Sequence, residues 1–135
     1  VSMLDNEIRS ADIIITTTPA TAALFTEGLV SSGTHVTAIG ADSPGKQELP
    51  VVLVTSASLR VCDLARQSLE HGEFQTANKT DTSLAVVELG HVLSGTHAGR
   101  QSDDDISVVD LTGIAAQDIA ITQAIIDAAT STDKN

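Results

Sequence analysis

The stretch His35 to Leu49, HVTAIGADSPGKQEL, joins a β-branched apolar run (Val36, Thr37, Ile39) to the turn-forming segment Gly40-Ala41-Asp42-Ser43-Pro44-Gly45-Lys46. β-Branched residues suit a buried pleated surface, and glycine and proline end it. The expected product is a buried central strand, His35 to Ile39, whose carboxyl end presents a carboxylate (Asp42) and an ammonium (Lys46) close together. In open parallel sheets ligands bind beyond the carboxyl ends of the strands, so this turn is where chemistry is expected.

Working outward, Ala11 to Thr18 (ADIIITTT) reads as a second buried parallel strand, closed by Pro19 with Thr18 at its carboxyl end. Before it, Met3, Leu4, Glu7 and Ile8 have the spacing of a short helix. Ala20 to Val30 reads as a loop with a short helix. On the other side, Gln47 to Val54 is irregular or weakly helical, because GKQEL looks like a helix start while PVVLVT has strand composition. Leu59 to Asp63 reads as a strand, Leu64 to His71 as a helix stopped at Gly72, Ser83 to Leu93 as a helix, and Ile106 to Asp110 as the fourth strand. A long helix follows from Ile114 to about Thr130, with Ile114, Ala115, Asp118, Ile121, Ile125 and Ala128 near one face. Strands alternating with helices predict an α/β fold with a parallel sheet and right-handed crossovers.

The 135 residues suit one domain or part of one. With Phe25 and Phe74 as the only aromatics, the core must be aliphatic. A net charge of -11 with seven Lys and Arg opposes nucleic-acid binding, which needs clustered cations to displace counterions. The longest apolar runs are too short to span a bilayer and no secretory leader pattern occurs, so no membrane partner and a cytoplasmic location are expected. Cys62, flanked by Leu59 and Val61, reads as a buried structural thiol. Asp103-Asp104-Asp105 reads as a solvated loop, and His35, His71, His91 and His97 lack paired ligand spacing, so surface or capping roles and no metal are expected. Neither a GxGxxG turn nor a Walker-type phosphate loop is present.

The segments ADIIITTTP (11–19), GTHVTAIGADSPGKQEL (33–49), VCDLARQSLEHGEFQ (61–75), ELGHVLSG (88–95) and GRQSDDDISVVDLTGIAAQDIA (99–120) resemble, in order and spacing, the ornithine cyclodeaminase/mu-crystallin family. The resemblance implies the second half of a Rossmann-like NAD(P)-binding domain, with strand and helix units over 1–112 and a closing helix over 113–130. It places the Gly-rich half, the substrate and dimerisation domain, and the substrate-carboxylate cations upstream. It also implies NAD, with NADP not excluded, a small amino-acid substrate, and a homodimer for the whole protein.

Residue by residue, the resemblance implies that Asp42 is a catalytic acid/base that also lies at the cofactor. Thr18, Ile39, Gly40, Ala41, Lys46 and Leu111 match cofactor-side positions, and Thr112 a substrate or cofactor neighbour. On residue type alone Asp42 could instead cap a helix or turn near Pro44, Lys46 could be an exposed lysine, and Thr18 a strand-end hydroxyl. Many relatives have Asp-Ser-Thr-Gly where this chain has Asp110-Leu111-Thr112-Gly113, so position 111 offers no hydroxyl; Asp63-Leu64 departs similarly from Asp-Ser. The implied activity is that of an amino-acid cyclodeaminase, ornithine to proline plus ammonia, with an alanine-dehydrogenase-like or ketimine-reductase-like oxidoreductase as the alternative. A different class of reading is a non-catalytic fragment or assembly module, because half a nucleotide site cannot hold cofactor and substrate in a near-attack geometry.

Overall fold

Among the described residues five short strands, β1 (Ile13–Thr16), β2 (His35–Ala38), β3 (Leu59–Cys62), β4 (Val87–Glu88) and β5 (Ser107–Asp110), form one parallel sheet in the order β1-β2-β5-β3-β4. The computed structural model describes residues 3–132. Parallel neighbours require crossovers, and these carry α2 (Val51–Ser56), α3 (Ala65–His71), α4 (Gln75–Thr80) and α5 (Leu89–Leu93), with α1 (Met3–Ser10) before the first strand and α6 (Ala115–Thr132) after the last. The α/β fold class is as the sequence predicts. The central strand, however, is β5, which inserts between β2 and β3.

The register levels the strand ends. Thr16 pairs with Ala38, Ala38 with Asp110, Asp110 with Cys62, and Cys62 with Glu88. The loops after all five strands therefore leave from one edge of the sheet. The ladder continues past it, with the Ile39 amide donating to the Thr16 carbonyl (2.9 Å) and the Leu111 amide to the Ala38 carbonyl (3.0 Å).

The core is aliphatic apart from Phe74, with Val36, Ala38, Leu49, Leu53, Val54, Ala57, Cys62, Ala77 and Val108 buried around it. Cys62 is buried and free, as expected of a structural thiol, and burial pushes its pKa up to about 12, with Asp110, Glu88 and Asp63 adding to the effect.

Several local expectations are corrected. One holds: Gln47 to Val54, expected to be irregular or weakly helical, enters helix α2 at Val51, because a crossover must lie on the sheet and α2 buries Leu53 and Val54 there, overriding the β propensity of PVVLVT. The helix expected from Ser83 begins only at Leu89. Val87 and Glu88 instead pair with β3, and the Glu88 carboxylate accepts the Ala65 amide at the start of α3 (3.0 Å). Helix α4, polar in sequence, is held by its buried Gln75 and Ala77. His35 lies half-buried within β2, its ring nitrogens 2.7 Å from Ser107 Oγ and 3.0 Å from Thr37 Oγ1, so it bonds across the sheet to β5 and caps no helix.

β1 has the composition of a buried strand but forms the sheet edge. Ile14 packs on the core, whereas Ile13 and Ile15, on the opposite face, are each 63% exposed. Over residues 115–131 helix α6 is exposed, including Ile119, Ile121, Ile125 and Ile126. No helix among the described residues is long and apolar enough to cross a membrane.

Candidate active site

Glu48 is fully buried beneath the ends of β1 and β2. Its Oε1 accepts the Thr18 amide (2.5 Å) and the Thr18 hydroxyl (2.9 Å); its Oε2 accepts the Gly40 amide (2.8 Å) and the Thr16 hydroxyl (2.8 Å). Burial opposes ionisation, but the Thr18 amide, the Thr16 hydroxyl and the Gly40 amide outweigh it and hold the Glu48 carboxyl below its ordinary value. The two strand ends are thus tied to one carboxylate.

Glu48 is itself held by a second acid. The Glu73 carboxylate accepts the amides of Glu48 (2.9 Å) and Leu49 (2.7 Å). The Glu73 amide in turn donates to Asp110 Oδ2 (2.9 Å), which also accepts the Ser68 hydroxyl. Asp110 Oδ1 is buried without a partner among the described residues. Three acids in series, Asp110, Glu73 and Glu48, therefore connect the end of β5 to the ends of β1 and β2.

The two lower acids are poorly solvated. Burial, opposed by the Leu49 and Glu48 amides, pushes Glu73 up to about 7; burial, opposed by Ser68 and the Glu73 amide, pushes Asp110 up to about 7. A carboxyl whose folded value exceeds its unfolded value keeps its proton in the folded chain while the unfolded chain releases it. Stability from these groups is therefore fully present below about pH 4 and declines as pH rises to about 7. The depressed carboxyls, Asp42, Glu48, Asp81 and Asp105, act in the opposite sense and lose their contribution only as pH falls below the ordinary carboxylate range. His35, held below its ordinary value by burial and by Arg100, opposes this as pH falls through about 6.5, but it is one group against two, so the chain is expected to melt higher at pH 5 than at pH 8, and Asp110→Asn is expected to shrink that difference. An equal difference in the variant would show that Asp110 is not its source.

Asp42 lies in the turn above this network and is exposed. Its Oδ1 accepts from Lys46 Nζ (2.6 Å) and the Ser43 hydroxyl (2.8 Å), while no partner holds Oδ2 among the described residues. The Lys46 hydrogen bond, then that of Ser43, hold its carboxyl below the ordinary value, so Asp42 is ionised with one oxygen open. Pro44 and Gly45 form a turn closed by the Lys46 amide on the Ser43 carbonyl, and no helix begins there for Asp42 to cap. Lys46→Met is expected to raise the Asp42 carboxyl toward its ordinary value in a carbon-detected NMR titration. An unmoved midpoint would show that the pair does not persist in solution.

The sequence-predicted residues fall into two groups. Thr18, Ile39, Gly40, Ala41, Asp42, Lys46 and Leu111 all follow the carboxyl ends of β1, β2 and β5, and Leu111 is hydrogen-bonded beside Ile39 through Ala38. Thr112 is drawn toward β3 instead: its hydroxyl donates to Asp63 Oδ1 (2.9 Å) and the Gly113 amide to Asp63 Oδ2 (2.6 Å). Ala41 is fully buried, which leaves its main chain as the group it can present.

Gly40 has a reason to be glycine within the fold. A Cβ there would overlap the Thr18 carbonyl oxygen and lie 2.6 Å from Glu48 Cδ. The sequence reading missed Glu48, Glu73 and the linkage through Asp110; the available signal was an acid set against apolar neighbours, as in Glu48-Leu49 and Glu73-Phe74.

The residues at this edge fit a nicotinamide group. The half-exposed Ile39 gives an apolar surface three residues before Asp42. The amides of Thr18 and Gly40 and the Thr18 hydroxyl are taken by Glu48, so these residues would offer shape and main-chain carbonyls rather than donors. Among the described residues no cluster of His, Cys, Asp and Glu could hold a metal ion.

The model of the ornithine cyclodeaminase/mu-crystallin family matches residues 1–133. An alanine dehydrogenase of Archaeoglobus fulgidus is 38% identical over 128 residues, covering 93% of this chain and 39% of that protein. Among solved structures, an archaeal alanine dehydrogenase dimer with bound NAD superposes with a TM-score of 0.88 at 34% identity, covering 98% of this chain and 42% of that one. The iminosuccinate reductase of Paracoccus denitrificans in complex with NAD+ gives 0.87 at 34% identity, covering 98% and 41%. The chain thus spans about two fifths of the length of these relatives.

Proposed function

Since the chain belongs to the ornithine cyclodeaminase/mu-crystallin family, we propose that it forms the C-terminal part of the NAD(P)-binding domain of a dimeric enzyme that oxidises a small amino acid at its α-carbon. The observation that carries this reading is the ionised Asp42, with one oxygen held by Lys46 and Ser43 and the other open, at the carboxyl edge of a parallel sheet. Asp42 is the acid/base and Ile39 a wall of the cofactor pocket.

The bound nicotinamide cofactor, NAD or NADP, would supply the hydride acceptor. Asp42, ionised at neutral pH, takes a proton from the substrate nitrogen as the Cα–H hydride leaves, and the substrate becomes an imine. The pairing of Oδ1 with Lys46 keeps Asp42 ionised until that proton arrives. Asp42 then returns the proton to the departing ammonia when a nucleophile adds to the imine carbon. If the nucleophile is water, the products are an oxo acid, ammonia and reduced cofactor. If it is the substrate's own side-chain amine, the hydride returns and a cyclic amino acid such as proline forms with ammonia and no net change in the cofactor.

The similarity to alanine dehydrogenase favours the first outcome, and the cyclodeaminase reading gives the second. The complete enzyme supplied with NAD+ separates them. Ammonia with an equivalent of NADH from L-alanine marks the dehydrogenase; ammonia and proline from L-ornithine without accumulated NADH mark the cyclodeaminase. Neither product from alanine, ornithine or lysine, together with no NADH oxidation by pyruvate and ammonia, would sink the proposal.

A further inference from the structure

Glu48 stands out among the buried ionisable groups, because it is the one that touches both strand ends of the candidate site. We propose that Glu48 is a positioning residue: by holding Thr18 and Gly40 to a single carboxylate, it fixes the wall of the pocket against which the nicotinamide would lie. The proposal rests on the function proposed above.

The geometry requires a carboxylate. Each oxygen receives one main-chain amide, Oε1 that of Thr18 and Oε2 that of Gly40. A glutamine has one acceptor oxygen and one NH2 group, so whichever way it is turned its NH2 opposes one of these two amides. A buried charge is costly to retain, and Glu48 is retained by four donors that do not depend on any ligand. Nor is it free to drift, since its own amide is anchored on Glu73, whose amide is anchored on Asp110. The ends of β1, β2 and β5 are therefore referenced to one another through acids whose side chains lie below the reacting surface. Hydride transfer is sensitive to donor–acceptor distance, and a displacement of about 1 Å in such a wall can cost about 10²-fold in rate.

Two measurements on Glu48→Gln test this. In the chain alone, amide hydrogen exchange at Gly40 or Thr18 is expected to accelerate at least tenfold, while core amides such as those of Val36 and Val108 keep their protection. In the complete enzyme with NAD+ and L-alanine or L-ornithine, kcat per folded molecule is expected to fall at least tenfold, while the cofactor KM changes less than threefold. A lowered melting temperature with unchanged kcat, or a cofactor KM that rises as much as kcat falls, would overturn the positioning role.

If Glu48→Gln does not fold, Thr16→Val removes one donor to the same carboxylate. It is expected to give the same split at a smaller size, and an unchanged kcat would overturn the role. Wild-type enzyme that turns over none of these amino acids would refute the proposed function, and the positioning role with it. Active wild type with an equally active Glu48→Gln refutes the positioning role alone.

Discussion

Asp42→Asn in the complete enzyme is expected to lower kcat by about 10²- to 10⁴-fold, the range over which a positioned acid/base contributes, with the melting temperature unchanged within error. The two halves of this expectation come from one geometry. Asp42 is exposed, and its side-chain partners among the described residues are Lys46 and Ser43, both in the same turn, so little of the fold depends on it. Asparagine keeps the size and one oxygen but cannot take a proton near neutral pH. Steady-state production of ammonia from L-alanine or L-ornithine, with NADH absorbance followed in parallel, reads the effect. Activity within threefold of the parent would remove Asp42 from the acid/base role and return it to the status of a turn residue.

Gly40→Ala is expected to give the largest loss of stability, at least about 3 kcal/mol, because the added methyl meets backbone and a buried carboxylate that cannot move aside. The comparison that isolates the cause is Gly28→Ala, where nothing lies within 4 Å of the added atom. That change is expected to fall within about 0.5 kcal/mol of the parent, as for most surface positions. Urea titrations of the chain decide between them. Equal stabilities would mean that β1 and β2 can separate at their carboxyl ends, and that the close approach of Thr18 to Gly40 is not fixed. The glycine suits a cofactor approach in the sequence reading; in the structure its first duty is to the fold.

These two residues also show what the sequence could and could not reveal. The turn after β2 was legible because local rules converge there: a β-branched run, then Gly, then Pro-Gly, gives a strand end whatever the surroundings. Asp42 and Lys46, four residues apart in a single turn, needed no tertiary information to be placed together. Glu48 was different. Its meaning comes from Thr16, Thr18 and Gly40, eight to thirty-two residues away, and from Glu73, which lies on the far side of β3 in the chain. No periodicity marks an acid that accepts main-chain amides from other segments. The same limit explains why PVVLVT was ambiguous between strand and weak helix until the demand for a crossover made it α2, and why β4 was missed, where two residues pair with β3 at the end of the sheet. β1 errs the other way: its composition reports a buried environment that the described residues do not supply on the face of Ile13 and Ile15.

Helix α6 has eighteen residues and is exposed over 115–131, so among the described residues its support is its own hydrogen bonds. An unsupported helix of that length is close to its coil transition in water, and its helicity follows temperature gradually rather than in step with the sheet. A residue such as Gln123 on α6 is consequently a place for a spectroscopic label. Its signal would report whether the long helix has found a surface to lie on, independently of whether the five-stranded sheet is folded.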